Sequence, residues 1–564
     1  MNSVFLASSL GVVPYPAQFV ARYRRAGLWR DETIPQALRR TAQTRPEALA
    51  VVTDCERWTY RDLVERADNI AAGLLALGLQ AGDAVLLQIT NTAHSISAFY
   101  GMLRAGIRPV CTLAIHRRHE MATIAELTGA VAHLVQADLH NFDLVDFSTQ
   151  LRAEHPRVRT LLTIGAAPDG GPGVRIEDLE IRSRSQADIA RLDDVEKSTD
   201  LTAPAVLQLS GGTTGTPKLI PRLHPEYWYN GAATASRWNL TPADRLAFAL
   251  PIVHNAGIVN ALFASHSVGA ALVLSVPAAH KLLPLMAAEH ATWLMSPPGV
   301  MRDYLDDERF DAAFAQVRTC ALTAAPVPRP LFDELEGRGV HTVQAFGMTE
   351  GLFLFTPHDA SPDVRASSVG VPISEHDEVR LLEPESEREV APGHIGELAV
   401  RGPYTIRGYL ADPQRNKQTF TADGFYRSGD LAVFTEIDHT ATYVISGRTK
   451  DLINRGGEKI NAEEIETLLM GHDAIAEAAL VAMPDDRLGE KAAAFVALAD
   501  THHSLTLSEM CAFLADRGVA KFKWPEHLVL VKALPRTEIG KVKKRQLRDQ
   551  LMLDAGGQAG TLLP

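Results

Sequence analysis

Helical and extended patterns take turns along much of this 564-residue chain, and that alternation constrains its fold more than any other feature. Apolar residues at Leu63, Ala67, Ile70, Leu74 and Leu75 recur at helical spacing through Tyr60 to Leu77. Gly78 stops the pattern, and Asp83 to Ile89 reads as a strand. A second helix near Ser95 to Ala105 leads through Gly106 to the extended stretch Arg108 to Leu113. The rhythm returns at Asp244–Pro251, Ala270–Ser275, His290–Ser296 and Val317–Thr323. Such alternation implies parallel sheets covered by helices, a large multi-layer α/β unit. After about residue 370 the texture changes. Glu397–Val400, Leu431–Phe434 and Thr442–Ile445 read as short strands joined by polar turns such as Asp423-Gly424, which predicts a β-rich subdomain. Beyond Gly447–Asp451 comes a compact pattern: a helix over Ala462–Met470, strands near Ala478–Ala482 and Ala493–Leu498, and a helix near Leu507–Asp516. Gly556 to Pro564 reads as a frayed tail.

Charge and cysteine usage narrow the function classes. A formal net charge of -12 argues against nonspecific nucleic-acid binding. The four cysteines, Cys55, Cys111, Cys320 and Cys511, are widely spaced and form no CxxC pair, so reduced, mostly buried thiols in a cytoplasmic setting are expected. The apolar run Val4–Val13 is interrupted by Ser and Gly and followed by Pro14 and Pro16, and no apolar segment reaches spanning length. A soluble protein without export is the expectation.

The segment Ser210-Gly211-Gly212-Thr213-Thr214-Gly215-Thr216-Pro217-Lys218 follows the apolar run Pro204–Leu209. Glycines let backbone N–H groups approach an anion and the hydroxyls add donors, so a polyphosphate is the natural guest. It is not a P-loop of the usual NTPase type, because Leu219 stands where a Mg²⁺-binding Ser or Thr is required. Further along, Ala345-Phe346-Gly347-Met348-Thr349-Glu350 follows the expected strand His341–Gln344. Phe346 suits stacking on a base, Thr349 a phosphate contact, and Glu350 a Mg²⁺ ion held against phosphate oxygens. Asp430, just before the apolar strand from Leu431, has the chemistry to accept both ribose hydroxyls, reinforced by Arg448. Lys541 sits on an accessible Gly540-Lys541 turn, suited to stabilising developing charge, whereas Lys543, Lys544, Arg545 and Arg548 read as a solvated helical face.

Taken together and in this order, the phosphate loop, Phe346–Glu350, Asp430, the Gly447–Asp451 junction, Gly456-Gly457-Glu458-Lys459-Ile460 and Lys541 resemble the adenylate-forming superfamily of acyl- and aryl-CoA synthetases, nonribosomal peptide synthetase adenylation domains and luciferases. The resemblance covers nearly the whole chain. Phe19–Trp29, Leu207–Arg222 and Arg401–Tyr409 bring it nearest to stand-alone aryl acid–AMP ligases, typified by 2,3-dihydroxybenzoate–AMP ligase. The resemblance implies a large N-terminal domain, residues 1–449, with parallel sheets and a β-rich subdomain. A hinge at Lys450 and a small mobile α+β domain over 451–564 complete the arrangement. It implies two half-reactions: a carboxylate attacks the α-phosphate of Mg·ATP, and a thiol then expels AMP from the acyl adenylate. Ser210 to Lys218 would cradle phosphates, Phe346, Gly347 and Ala325 the adenine, Thr349 and Glu350 phosphate and metal, and Asp430 with Arg448 the ribose. Lys541 would serve adenylation, and Gly456-Gly457 would line the thiol path after rotation.

The same resemblance assigns His254-Asn255 to the start of an acyl-pocket helix, with Asn255 contacting the aromatic acid near its carboxylate and ortho substituent. Ala256 and Asn260 replace the tyrosine and serine of the dihydroxybenzoate pattern, and Ala324-Ala325-Pro326 replaces the more usual glycine-rich adenine loop. Salicylate, hydroxyanthranilate and hydroxylated heteroaryl acids all remain in play. The expected acceptor is the phosphopantetheine thiol of an aryl carrier protein or of a nonribosomal synthetase carrier domain, in siderophore or antibiotic biosynthesis. Free CoA, as in an aryl-CoA synthetase, and a non-catalytic nucleotide-binding scaffold are the alternatives. A homodimer stays open; nucleic acid and membrane are not expected partners.

Overall fold

The computed structural model describes residues 11–166, 172–210, 218–455, 458–485, 488–499, 504–537 and 541–556. Two helix-covered sheets dominate. One is seven-stranded, in the order Val174–Arg175, Thr160–Ile164, Ala132–Gln136, Ala84–Gln88, Arg108–Val110, Pro204–Ser210, Lys218–Leu223, parallel except for the final hairpin. The other is nine-stranded, with a parallel centre built from Thr342–Met348, Thr319–Leu322, Trp293–Ser296, Arg245–Phe248, Ala271–Leu274 and Leu49–Val52.

Alternation along the strands sorts side chains into layers. Val85 and Leu87 point inward with Leu246, Phe248 and Leu272 onto a shared helical layer that includes Leu63, Ile70, Phe99 and Tyr227. Ala84 and Leu86 face outward onto Ile124, Leu144 and Leu151, while Ala247 and Leu294 face outward onto Leu283, Met286 and Leu335. Three helical layers thus enclose two sheets. Local signals place the ends: the helix Tyr60–Ala76 starts at a reciprocal Thr59–Asp62 capping box and stops before Gly78, whose φ of +90° suits glycine.

The β-rich part is a four-stranded antiparallel sheet, Glu378–Leu382, Gly396–Arg401, Tyr426–Ile437 and Thr440–Arg448. Lys450 follows in the short turn Thr449–Asp451, and a smaller α+β unit comes after it. In that unit the long pair Ile475–Asp485 and Gly489–Leu498 is flanked by His527–Val531 and covered by the helices Ala462–Leu469 and Leu507–Asp516. Among the described residues no helix is long and apolar enough to cross a membrane.

Three sequence expectations need correction. The strand expected at His341–Gln344 runs from Thr342 to Met348, so Phe346 and Gly347 lie within it, and Thr349-Glu350-Gly351 form the tip of a hairpin to Leu352–Phe355. Asp430 likewise lies inside Tyr426–Ile437, not ahead of it, because pairing to Arg448 extends that strand past the polar turn. Lys544 and Arg548 do not form a solvated face. Lys544 Nζ pairs with Glu466 at 2.7 Å and Arg548 with Asp451 at 2.9 Å, anchoring the helix Lys544–Gly556 to its own unit and to the turn beside Lys450.

Candidate active site

The phosphate-loop segment is framed by a hairpin: Ser210 ends one strand and pairs in register with Lys218 at the start of the next. Gly211 to Pro217, with Gly456 and Gly457, lie outside the described residues. Lys218 turns toward the Thr349-Glu350 tip. Its Nζ donates to the Tyr409 hydroxyl at 3.4 Å and lies 5.0 Å from that ring's centre. Burial lowers the Lys218 pKa, while the Glu350 carboxylate works in the opposite direction.

Glu350 is only 6% exposed, and its Oε1 accepts from the Tyr409 hydroxyl at 2.8 Å. Tyr409 also meets the Tyr426 hydroxyl at 3.1 Å. A phenol has one proton to give and two lone pairs to fill, and here Glu350, Lys218 and Tyr426 use all three. The tip itself is pinned from below by a buried ion pair. Arg222 binds Glu226 through Nε at 3.0 Å and Nη2 at 2.7 Å. Its guanidinium also donates to the carbonyls of Thr349 at 2.8 Å and Tyr404 at 3.2 Å. Gly351 closes the turn at φ +100°, where a side chain would collide with the Tyr404 carbonyl. Arg222, Glu226, Tyr409 and Tyr426 escaped sequence reasoning as site residues. Arg222 and Tyr409 stood inside stretches that carried the family resemblance, the only signal available.

Asp430 and Arg448 are register partners, bonded Oδ1 to Nε at 2.9 Å. Burial raises the Asp430 pKa, against the pull of Arg448 and then Lys541. Lys541 belongs to the smaller unit, where its carbonyl accepts from the Thr537 N–H at 2.7 Å beside the Arg536–Val542 bridge. Lys541 is exposed, and its pKa is lowered, by desolvation first and then by Arg448 and Lys450, with Asp430 and Glu350 opposing. Its charge also reaches His254, whose pKa falls to about 4, chiefly through burial. The charge of this one cation therefore bears on the Asp430 and Glu350 carboxylates and on His254.

His254 caps the short helix Asn255–Gly257, and a π-helical stretch, Ile258–Phe263, follows. Asn255 is buried and accepts from the Tyr227 hydroxyl at 3.0 Å, Ala256 is half-buried, and Asn260 turns to Thr234 and Met295. Phe346 is half-buried beside an exposed Gly347, where a Cβ would strike the Phe353 ring. Ala324, next to Ala325, holds φ +73°, a left-handed backbone usually left to glycine. No cluster of three or more metal-type ligands occurs among the described residues. Glu350, a buried carboxylate joined to Lys218 through the Tyr409 hydroxyl, nevertheless has the chemistry for Mg²⁺, which keeps waters and takes one or two carboxylates plus substrate phosphates.

Comparison with known proteins adds a second line of findings. The AMP-binding enzyme family matches residues 38–410, and the AMP-binding enzyme C-terminal domain matches 464–541. The chain is 36% identical over 556 residues to pyochelin synthase PchD of Pseudomonas aeruginosa, covering 97% of each. It is 35% identical to a salicyl-AMP ligase / salicyl-S-ArCP synthetase of Mycobacterium tuberculosis, covering 97% of this chain and 95% of that one. Among solved structures, ATP-bound MatB from Rhodopseudomonas palustris superposes with a TM-score of 0.80 at 26% identity, covering 92% of this chain and 98% of that one. The apo form of the same protein gives a TM-score of 0.72.

Proposed function

Since the chain belongs to the AMP-binding enzyme family and is an adenylate-forming aryl acid–AMP ligase, we propose that its site activates a 2-hydroxylated aromatic acid with ATP and passes the acyl group to the thiol of an aryl carrier protein. A carboxylate is a poor electrophile, because hydroxide leaves badly and the anion repels nucleophiles. The acid enters already ionised, so no general base is needed for the first step. Its oxygen attacks the α-phosphorus of ATP, a C–O–P anhydride forms, and pyrophosphate carries away the electron pair. In the second step the thiol sulfur adds to the acyl carbon, its proton passes to solvent, and AMP leaves.

Positioning and charge compensation do the work in such phosphoryl chemistry. In this reading the hairpin from Ser210 to Lys218 holds the phosphates and Phe346 stacks on the adenine, with Gly347 and Ala325 beside it. Asp430, held by Arg448, accepts the ribose hydroxyls. Thr349 faces phosphate, and Glu350 would hold Mg²⁺, which supplies charge neutralisation at the phosphate oxygens when bound. The observation that carries the proposal is that Lys541, from the smaller unit, stands near enough for its charge to bear on the Asp430 and Glu350 carboxylates and on the neutral His254 imidazole. A cation whose field reaches both the nucleotide-side carboxylates and the acyl-side histidine suits the place where the mixed anhydride would form. The higher TM-score to the ATP-bound than to the apo relative supports this as the adenylating arrangement. Rotation about Lys450 would then carry Lys541 away and bring Gly456-Gly457 to the thiol path.

The test is pyrophosphate exchange across salicylate, 2,3-dihydroxybenzoate, 3-hydroxypicolinate and benzoate, followed by transfer to CoA and to purified aryl carrier proteins. Exchange driven by a 2-hydroxy acid with loading of a carrier supports the proposal. A preference for aliphatic acids, or transfer to CoA alone, refutes the acyl or the acceptor assignment respectively.

A further inference from the structure

A relay of three hydrogen bonds decides which way Asn255 faces. It starts at a group that cannot change roles: the backbone carbonyl of Val253 only accepts. Gln208 Nε2 donates to it at 3.1 Å, and the opposite amide flip would set two acceptors against each other. The same Nε2 gives its second hydrogen to the Tyr227 hydroxyl at 3.0 Å. Tyr227, having accepted from Gln208, has its own proton to give, and Asn255 Oδ1 accepts it at 3.0 Å. The phenol has little freedom to do otherwise. It is fully buried, its ring edge packs on Phe263 with centroids 5.3 Å apart, and the Arg222 guanidinium lies 4.4 Å from its centre. The Asn255 carbonyl is thus occupied from behind. Its Nδ2, bonded to no group among the described residues, is what remains for a ligand.

We infer that Gln208 and Tyr227 hold Asn255 as an obligate hydrogen-bond donor, so that the acyl pocket selects aromatic acids with an ortho oxygen and rejects those with an ortho amine. This rests on the assignment of Asn255 to the acyl pocket. The chemistry separates the two classes cleanly. In a 2-hydroxybenzoate the phenolic proton bonds to the neighbouring carboxylate, leaving the phenolic oxygen to accept from Asn255. In a 2-aminobenzoate one N–H serves the carboxylate, the other points outward, and the nitrogen lone pair is drawn into the ring. Two donors would then face each other, and a buried amide facing a mismatched partner discriminates strongly. Gln208 and Tyr227 are positioning residues: they act on the substrate only through the orientation of Asn255.

The experiment measures kcat/KM for salicylate, anthranilate and benzoate by pyrophosphate exchange in the whole enzyme and three variants. The wild type should favour salicylate over anthranilate by about tenfold or more, on the scale of one mismatched hydrogen bond. Tyr227→Phe frees the amide to turn, and should narrow that ratio by about tenfold while the ring still fills its space. Asn255→Asp presents only acceptors, and should move the preference toward anthranilate, which keeps the inference testable if Tyr227→Phe does not fold. An unaltered salicylate-to-anthranilate ratio in both variants, or a wild type indifferent to the two acids, overturns the relay. Asn255→Leu separates the two levels. If it leaves the salicylate-to-benzoate ratio unchanged, the pocket assignment itself falls and the relay with it. If it changes that ratio while the other two variants do nothing, only the relay falls.

Discussion

Tyr409→Phe is the sharpest probe of how the phosphate side is held together. The substitution keeps the ring over which Lys218 lies and removes one oxygen. That oxygen serves three groups from three parts of the chain: Glu350 at 2.8 Å, Tyr426 at 3.1 Å and Lys218 at 3.4 Å. The bond to Glu350 matters most, because it is short, charge-assisted and given to a carboxylate almost without solvent. A hydrogen bond to a charged group contributes about 1.5–3 kcal/mol, so kcat/KM for ATP should fall roughly 10- to 150-fold. Part of the loss should be recoverable with more Mg²⁺, since a Glu350 carboxylate without its donor is held less firmly against the metal. Pyrophosphate exchange over a Mg²⁺ titration reads this, beside single-turnover transfer from a supplied aryl adenylate, which should be nearly unaffected. Tyr426→Phe removes only a neutral bond to the same oxygen and should cost about 1 kcal/mol or less. Wild-type ATP kinetics and Mg²⁺ dependence in Tyr409→Phe would refute the reasoning. So would equal damage to both half-reactions, which would indicate a general disturbance of the fold.

Lys541→Ala should slow adenylate formation about 10²- to 10³-fold, the scale of a lost charge-stabilising donor, and spare transfer from supplied adenylate; stopped-flow comparison of the two steps decides it. Ala324→Gly relieves a φ of +73° and should stabilise the protein by about 0.5–1 kcal/mol, seen as a raised denaturant midpoint; a lowered midpoint would show that the alanine methyl is needed there. Acid should destabilise the fold through buried neutral histidines. His133 has its pKa lowered to about 3, and His224 and His266 to about 4, all mainly by burial. Because these values lie below those of the unfolded chain, the unfolded state takes up more protons as pH falls below about 6.5 and through the folded values. Each histidine should therefore remove about 2 kcal/mol of stability at pH 5. Urea midpoints at pH 7 and pH 5 test this, and His133→Leu should reduce the pH-dependent loss of stability by about 2 kcal/mol; equal midpoints in the wild type would contradict it.

Patterns of short range were legible in the sequence because short-range physics sets them. Period 3.6 from Leu63 to Leu75, a capping residue at Thr59 and a glycine at 78 define one helix without help from elsewhere, and the structure ends it at Ala76. The helix Leu507–Asp516 was likewise given by its own residues. Boundaries slipped where pairing partners decide them. Thr342–Met348 runs on through Phe346 because Leu352–Phe355 returns antiparallel beside it, and Tyr426–Ile437 begins early because Arg448 pairs with Asp430. Lys544 looked solvated for the same reason: nothing in its neighbourhood along the chain announces Glu466.

The candidate site divides along the same line. Residues that would touch nucleotide carry distinctive chemistry in compact motifs, and order along the chain was enough to pick out Thr349, Glu350, Asp430 and Lys541. The groups that hold them do not form motifs. Tyr409 meets Glu350 across 59 positions and Arg222 meets the Thr349 carbonyl across 127. Gln208 meets Val253 across 45 positions, and Tyr227 meets Asn255 across 28. By itself the sequence determined the layered α/β class, the phosphate and ribose candidates and the reaction type, since each depends on local periodicity or on residue chemistry in a fixed order. Only the tertiary structure decided which hydroxyl braces which carboxylate, and which face of Asn255 is left open. A hydrogen bond's direction depends on the donors and acceptors around it in space, and folding brings those together from distant parts of the chain.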